Sequence, residues 1–174
     1  MFHPGTQRFL AVWSALPGSA APRRADLRPE ALGDLLPRVF LLEARAEAPL
    51  VRLAGEAVER LHGGCLHRKP WLDLWTPDSR PLAGSAALQV GREARPAVVI
   101  AEAGADAAPF EISLVPLRGS EGAADRVLGL CQPLSAAGQA LTDAGPLSAR
   151  LSVMVGAARR PALKVASVDG RRVA

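Results

Sequence analysis

The sequence predicts an α+β domain: a five-stranded antiparallel sheet with helices on one face, an amphipathic helix before it and a basic tail after it. Three observations carry this. Five short apolar segments have strand length and composition. They divide two and three around a middle of helical pattern, giving the order β-β, short helices, one longer helix, β-β-β. With 49% hydrophobic and 22% charged residues in 174, the chain can build a buried core.

The first helix carries Phe9, Val12, Trp13 and Leu16 at positions i, i+3, i+4 and i+7. Thr6 is its expected cap and Pro17-Gly18 its stop. The same stretch faintly mimics a signal peptide, but its charged region is thin and Ser14 breaks its short apolar core, so a helix is the better reading. A linker of small and basic residues follows, then short helical turns over 26–36 with Leu27, Leu32, Leu35 and Leu36 on one face, ended by Pro37.

The period then changes. Residues 38–45 and 50–54 read as strands, and Gly55 closes the second. A short helix is expected over 56–61, broken by Gly63-Gly64. Pro70 opens a single turn with Trp71, Leu72, Leu74 and Trp75, and after Thr76-Pro77-Asp78 a longer helix runs to about residue 92, with Leu82, Ala86 and either Leu88 or Val90 inward. Strands at 97–101, 109–117 and 126–133 finish the domain. In the middle one, Phe110, Ile112 and Leu114 alternate with Glu111, Ser113 and Val115, and Pro116 falls near its end or at a bulge. The expected division is 1–25 helix and linker, 26–133 domain, and 134–174 basic, flexible tail.

Charge supports that division. Residues 1–133 hold 15 Lys/Arg and 15 Asp/Glu, so the net +4 lies in the tail. Arginine outnumbers lysine 19 to 2, with abundant Ala, Gly and Pro, as a GC-rich coding bias produces; the high pI therefore does not argue for nucleic-acid binding. Two cysteines do not make a disulfide framework and fit a reducing compartment, here the cytoplasm. No apolar run approaches the roughly 20 residues of a membrane span.

Several motifs together resemble a known family. They are Trp13; Pro22-Arg23-Arg24-Ala25-Asp26; Leu36-Pro37-Arg38-Val39-Phe40-Leu41-Leu42-Glu43; Arg52-Leu53-Ala54-Gly55; and Leu72-Asp73-Leu74-Trp75. In this order and spacing the chain resembles the alphaproteobacterial stand-alone PAS domain family from about residue 9 to 133. The resemblance implies a PAS fold and a signalling role, and no particular ligand. It departs from the family pattern at Glu56, where a Thr is usual, and at Gly63-Gly64-Cys65, where a Gly-Arg pair is usual.

Catalytic chemistry has no foothold: there is no G-x-S-x-G, no H-E-x-x-H, no phosphate-cradling glycine loop and no paired carboxylates. The chain is expected not to be an enzyme and requires no cofactor. His62, Cys65 and His67 could begin a metal site, or one of the histidines could hold a haem, but no fourth ligand is evident and a plain loop is favoured. Cys65 is an exposed thiol beside cationic residues, open to a redox role; an ordinary surface cysteine is favoured, and Cys131 is expected in the core.

In a PAS fold the Trp71–Trp75 turn lies over the sheet, beside the ligand cavity. Leu82, Leu88, Val99, Phe110, Ile112, Leu128 and Leu130 are its expected companions, with Arg52 and Gln132 as polar groups. A core filled by this aromatic bulk is favoured over a roomy pocket. Phe9, Val12, Trp13 and Leu16 are expected at a homodimer interface, the alternative being packing on the outer sheet face. The tail could add a strand to a partner or meet an anionic surface, with a solvated tail favoured. With no output domain attached, signalling is expected through protein contacts, regulated by a small ligand in the helix–sheet cleft. A constitutive adaptor without ligand is the competing class, and a metal or haem sensor the weaker third.

Overall fold

A computed structural model describes residues 1–18, 21–43, 49–119 and 125–156, together with the backbone of 167–168 and 171–172. Helix α1 (Pro4–Ser14) begins the chain. Short 3-10 turns lead to strands β1 (Val39–Glu43) and β2 (Leu50–Ala54). Helix α2 (Glu56–Leu61), further 3-10 turns at Trp71–Leu74 and Pro77–Ser79, and helix α3 (Arg80–Glu93) form the middle. Strands β3 (Ala97–Ala103), β4 (Ala108–Leu117) and β5 (Arg126–Pro133), helix α4 (Ala136–Ala140) and strand β6 (Ser148–Met154) follow. The end of the strand expected over 38–45, the joint that follows it as far as residue 48, and residues 120–124 lie outside the described residues.

The sheet is antiparallel and open, in the order β2-β1-β5-β4-β3-β6. It has six strands, which corrects the expected five. The sixth comes from the segment expected as a flexible tail: β6 pairs with β3 from Ala97↔Met154 to Glu102↔Ser148. It covers an edge that β3 would otherwise leave with unpaired backbone groups. Further along the tail, residues 167–168 pair with 171–172 in a two-residue ribbon.

Both faces of the sheet are covered, and the two-residue period of the strands sorts their side chains between two cores. On the face toward α2 and α3, Phe40, Leu42, Val99, Phe110, Ile112, Leu114, Val127 and Cys131 pack with Trp71 and Trp75. Helix α3 turns a strip of small residues to that face: Ala83, Ala86, Ala87 and Val90 are buried, while Leu88 is 38% exposed. On the other face Val39, Leu41, Val115, Leu117, Leu128 and Leu130 pack with Leu27, Leu32, Leu35 and Phe9.

Helix α1 therefore lies on the outer sheet face. Its cap is His3, whose Nδ1 accepts from the Gly5 N–H at 3.0 Å. Thr6, the expected cap, is instead buried one turn inside. The N–H of His3 donates to both carboxylate oxygens of Glu111 in β4, at 3.2 and 3.1 Å, which places a buried carboxylate at the positive helix end. At the other end, Trp13 Nε1 donates to the Pro116 carbonyl at 2.9 Å. Pro116 lies in regular pairing with Val127, and β3 begins its pairing with β4 at Ala97↔Leu114, so the missing proline N–H costs no bond on that side.

Candidate functional site

A helix–sheet cleft of about 420 Å³ lies between α2, α4 and the sheet. Its floor is Phe110 of β4 and Cys131 of β5. Val58 and Leu61, spaced i and i+3 on α2, form one wall. Gly138, Gln139 and Leu141 form the opposite one, and Asp34, Arg38, Glu56 and Arg60 supply charge around it. Apolar walls with a few polar groups, at this volume, suit a small organic molecule.

The walls are held by identifiable contacts. Asp143 N–H donates to the Arg60 carbonyl at 2.9 Å and Ala144 N–H to the Leu61 carbonyl at 2.7 Å, so the chain after α4 is stitched to the end of α2. Gly63 has φ +76°, and a Cβ there would run into the Asp143 carboxyl group, so this close approach requires glycine. Arg38 Nη1 donates to Gln132 Oε1 at 2.7 Å, and Arg38 Nη2 to the Asp34 carbonyl at 3.4 Å. Burial pushes the Cys131 thiol up to about 12, so it presents a neutral S–H.

Of the expected pocket residues, Phe110 alone lines this cleft. Val99, Ile112, Trp71 and Trp75 share its core but are packed side chains: the Phe40 and Trp71 rings stack with centroids 5.1 Å apart, and Trp71 meets Trp75 edge-on at 5.2 Å. Leu82 is half-buried on α3. The remaining expectations are corrected. Leu128 and Leu130 face the opposite core, with α1, because they alternate along β5 with Val127, Gly129 and Cys131. Gln132 has the same parity and is buried beneath the N-terminal turn of α1, where a Cβ on Gly5 would collide with its Oε1. Leu88 points away from the sheet, and Arg52 is exposed, 3.7 Å from Glu43. Val58, Leu61, Cys131 and Leu141 escaped the sequence reading. The i, i+3 pair on α2 was the available signal for two of them.

The histidine–cysteine cluster does not converge. Among the described residues no three His, Cys, Asp or Glu side chains are placed to hold a metal ion. His62 is half-buried, and desolvation lowers its pKa to about 4, with Lys69 adding to the effect and a Gly145 backbone hydrogen bond opposing it. His67 Nδ1 is 2.7 Å from the Arg52 carbonyl, and Cys65 is exposed.

Two strands, a helical middle and three strands in the sheet order 2-1-5-4-3 agree with a sequence comparison in which the family profile described as PAS domain matches residues 1–132. The chain belongs to the PAS domain family. No curated protein matches it. Membership supports a sensory or signalling role in general terms. In this PAS domain no helix among the described residues is long and apolar enough to cross a membrane. The match includes α1, so the helix on the outer sheet face lies in the matched region together with β1 to β5, while β6 lies beyond it.

Proposed function

We propose that this PAS domain is a non-catalytic cytoplasmic sensor that signals through protein contacts, and that a small ligand in the cleft between α2, α4 and the sheet regulates it. The observation that carries the reading is the wall made by Gly138, Gln139 and Leu141, because that segment leads directly into β6. A ligand touching both walls would bias the docking of 141–147 on α2, and with it the presentation of the C-terminal segment. A population shift requires just such a difference in contacts between two states. Apolar Val58, Leu61 and Phe110, with both acidic (Asp34, Glu56) and basic (Arg38, Arg60) groups around them, suit a mainly apolar molecule with a small polar part.

Homodimerisation through α1 belongs to the same proposal in restricted form. Phe9 is fully buried in the chain's own core, leaving the half-buried Val12, Trp13 and Leu16 to meet a second copy. A second reading, a constitutive adaptor, is favoured by the packing of Phe40, Trp71 and Trp75.

Native mass spectrometry of the full chain, with an absorbance scan of the same sample, tests the proposal. The expected result is a bound organic mass in the wild type that is lost in Ala57→Trp, which fills the cleft from its half-exposed wall. A bare mass in both would favour the adaptor.

A further inference from the structure

A second concave site lies apart from the cleft, and five arginines line it: Arg23, Arg24, Arg52, Arg118 and Arg126. Its volume is about 640 Å³, and Leu41 and Leu53 supply its apolar surface, with Leu53 47% exposed. We propose that this groove binds a small soluble organic phosphate carrying two or more negative charges.

The arginines are brought together by backbone pairing. Arg24 N–H donates to the Arg118 carbonyl and Arg118 N–H to the Pro22 carbonyl, both at 2.8 Å, so the linker lies as a short parallel bridge beside the end of β4. Arg118 Nε donates to the Ala21 carbonyl at 2.6 Å, which orients its guanidinium before any ligand arrives. Like charges held this close repel, and an anion among them relieves that repulsion.

Among the described residues the local carboxylates do not balance the five arginines. Arg126 lies 3.2 Å from Asp125 and 3.9 Å from Glu43, and Arg52 lies 3.7 Å from Glu43. Arg23, Arg24 and Arg118 have no carboxylate partner among the described residues. Arginine forks match phosphate oxygens in geometry and charge. The volume lies within the usual range of small-molecule sites, roughly 300–1,000 Å³, and Leu41 and Leu53 would meet an apolar or planar part of the ligand. A polymer fits less well. Residues 1–133 balance 15 basic against 15 acidic side chains, so the domain carries no net positive charge to draw in a polyanion.

Calorimetric titration of the full chain with inorganic pyrophosphate tests the assignment. The expected result is saturable binding with a Kd below about 1 mM, weakened about tenfold or more in Arg23→Ala/Arg24→Ala and unchanged in Arg92→Ala, an exposed arginine on α3. The side chains of Arg23 and Arg24 are exposed and make no ion pair among the described residues, so the double variant is expected to fold, and circular dichroism checks this. Absence of saturable binding, or equal weakening in Arg92→Ala, overturns the proposal. Tighter binding to a single-stranded oligonucleotide or to anionic vesicles than to pyrophosphate overturns it as well. None of these outcomes depends on occupancy of the α2–α4 cleft.

Discussion

The ring of Phe40 lies against Trp71 at a centroid distance of 5.1 Å and an interplanar angle of 22°. Trp71 in turn meets Trp75 at 72°. Three large rings thus fill the space between the Trp71–Leu74 turn and the sheet. The open part of the helix–sheet interface lies instead between α2 and α4.

The stack depends on a glycine in the neighbouring strand. Gly129 of β5 pairs with Phe40 of β1, and a Cβ on it would fall inside the Phe40 ring. Gly129→Ala is therefore expected to destabilise the domain by about 1–3 kcal/mol, the usual cost of overpacking a core. Adding Phe40→Leu should recover part of the loss. Urea melts of the single and double variants measure both effects.

The indole nitrogens of Trp71 and Trp75 are buried and find no acceptor among the described residues. Trp75→Phe removes an unsatisfied donor along with some packing, and should cost much less than Trp75→Ala, for which about 3–5 kcal/mol is expected. Thermal unfolding monitored by far-UV circular dichroism compares the two.

Helix α1 is pinned at both ends, by Glu111 at His3 and by the Pro116 carbonyl at Trp13. Trp13→Phe keeps much of the ring and loses the hydrogen bond, an expected cost of about 1 kcal/mol. Faster amide exchange confined to α1 and its junction with β4 would mark this as local release of the helix.

His62 makes stability depend on pH. Its pKa falls from 6.5 to about 4 on folding, so below about pH 6.5 the unfolded chain takes up a proton that the folded chain resists. Its contribution is complete above that pH, declines as the pH drops through the window from 6.5 to about 4, and then levels off. The loss at pH 5 is on the order of 1–2 kcal/mol. Denaturant melts at pH 7 and pH 5 should show it in the wild type and not in His62→Gln.

Much of this fold was legible in the sequence because its strands are short, apolar and well punctuated. β2, α2 and β5 begin and end where their patterns do, and the helical face of α1 is the face that packs. The side of the sheet was harder to read. On β5, Val127 and Cys131 face the aromatic core while Leu128 and Leu130 face α1. With both faces buried, the alternation of apolar and polar residues that would reveal the register is missing. β6 was hidden for a different reason. Its residues include the exposed Leu151 and Val153, and its place in the fold is set by the open edge of β3 rather than by its own pattern. The wall at Gly138–Leu141 lay beyond the expected end of the domain, so the cleft could not be drawn from the sequence.

Chemical-shift mapping of the full chain against a library of small polar and apolar fragments probes ligand binding at the α2–α4 cleft residue by residue. The expected perturbations cluster on Val58, Leu61, Phe110 and Leu141 and spread through 141–147 toward β6, with the Trp71 and Trp75 indole signals unmoved. Perturbations centred on those two indoles, or no cluster at the α2–α4 cleft, would contradict binding there.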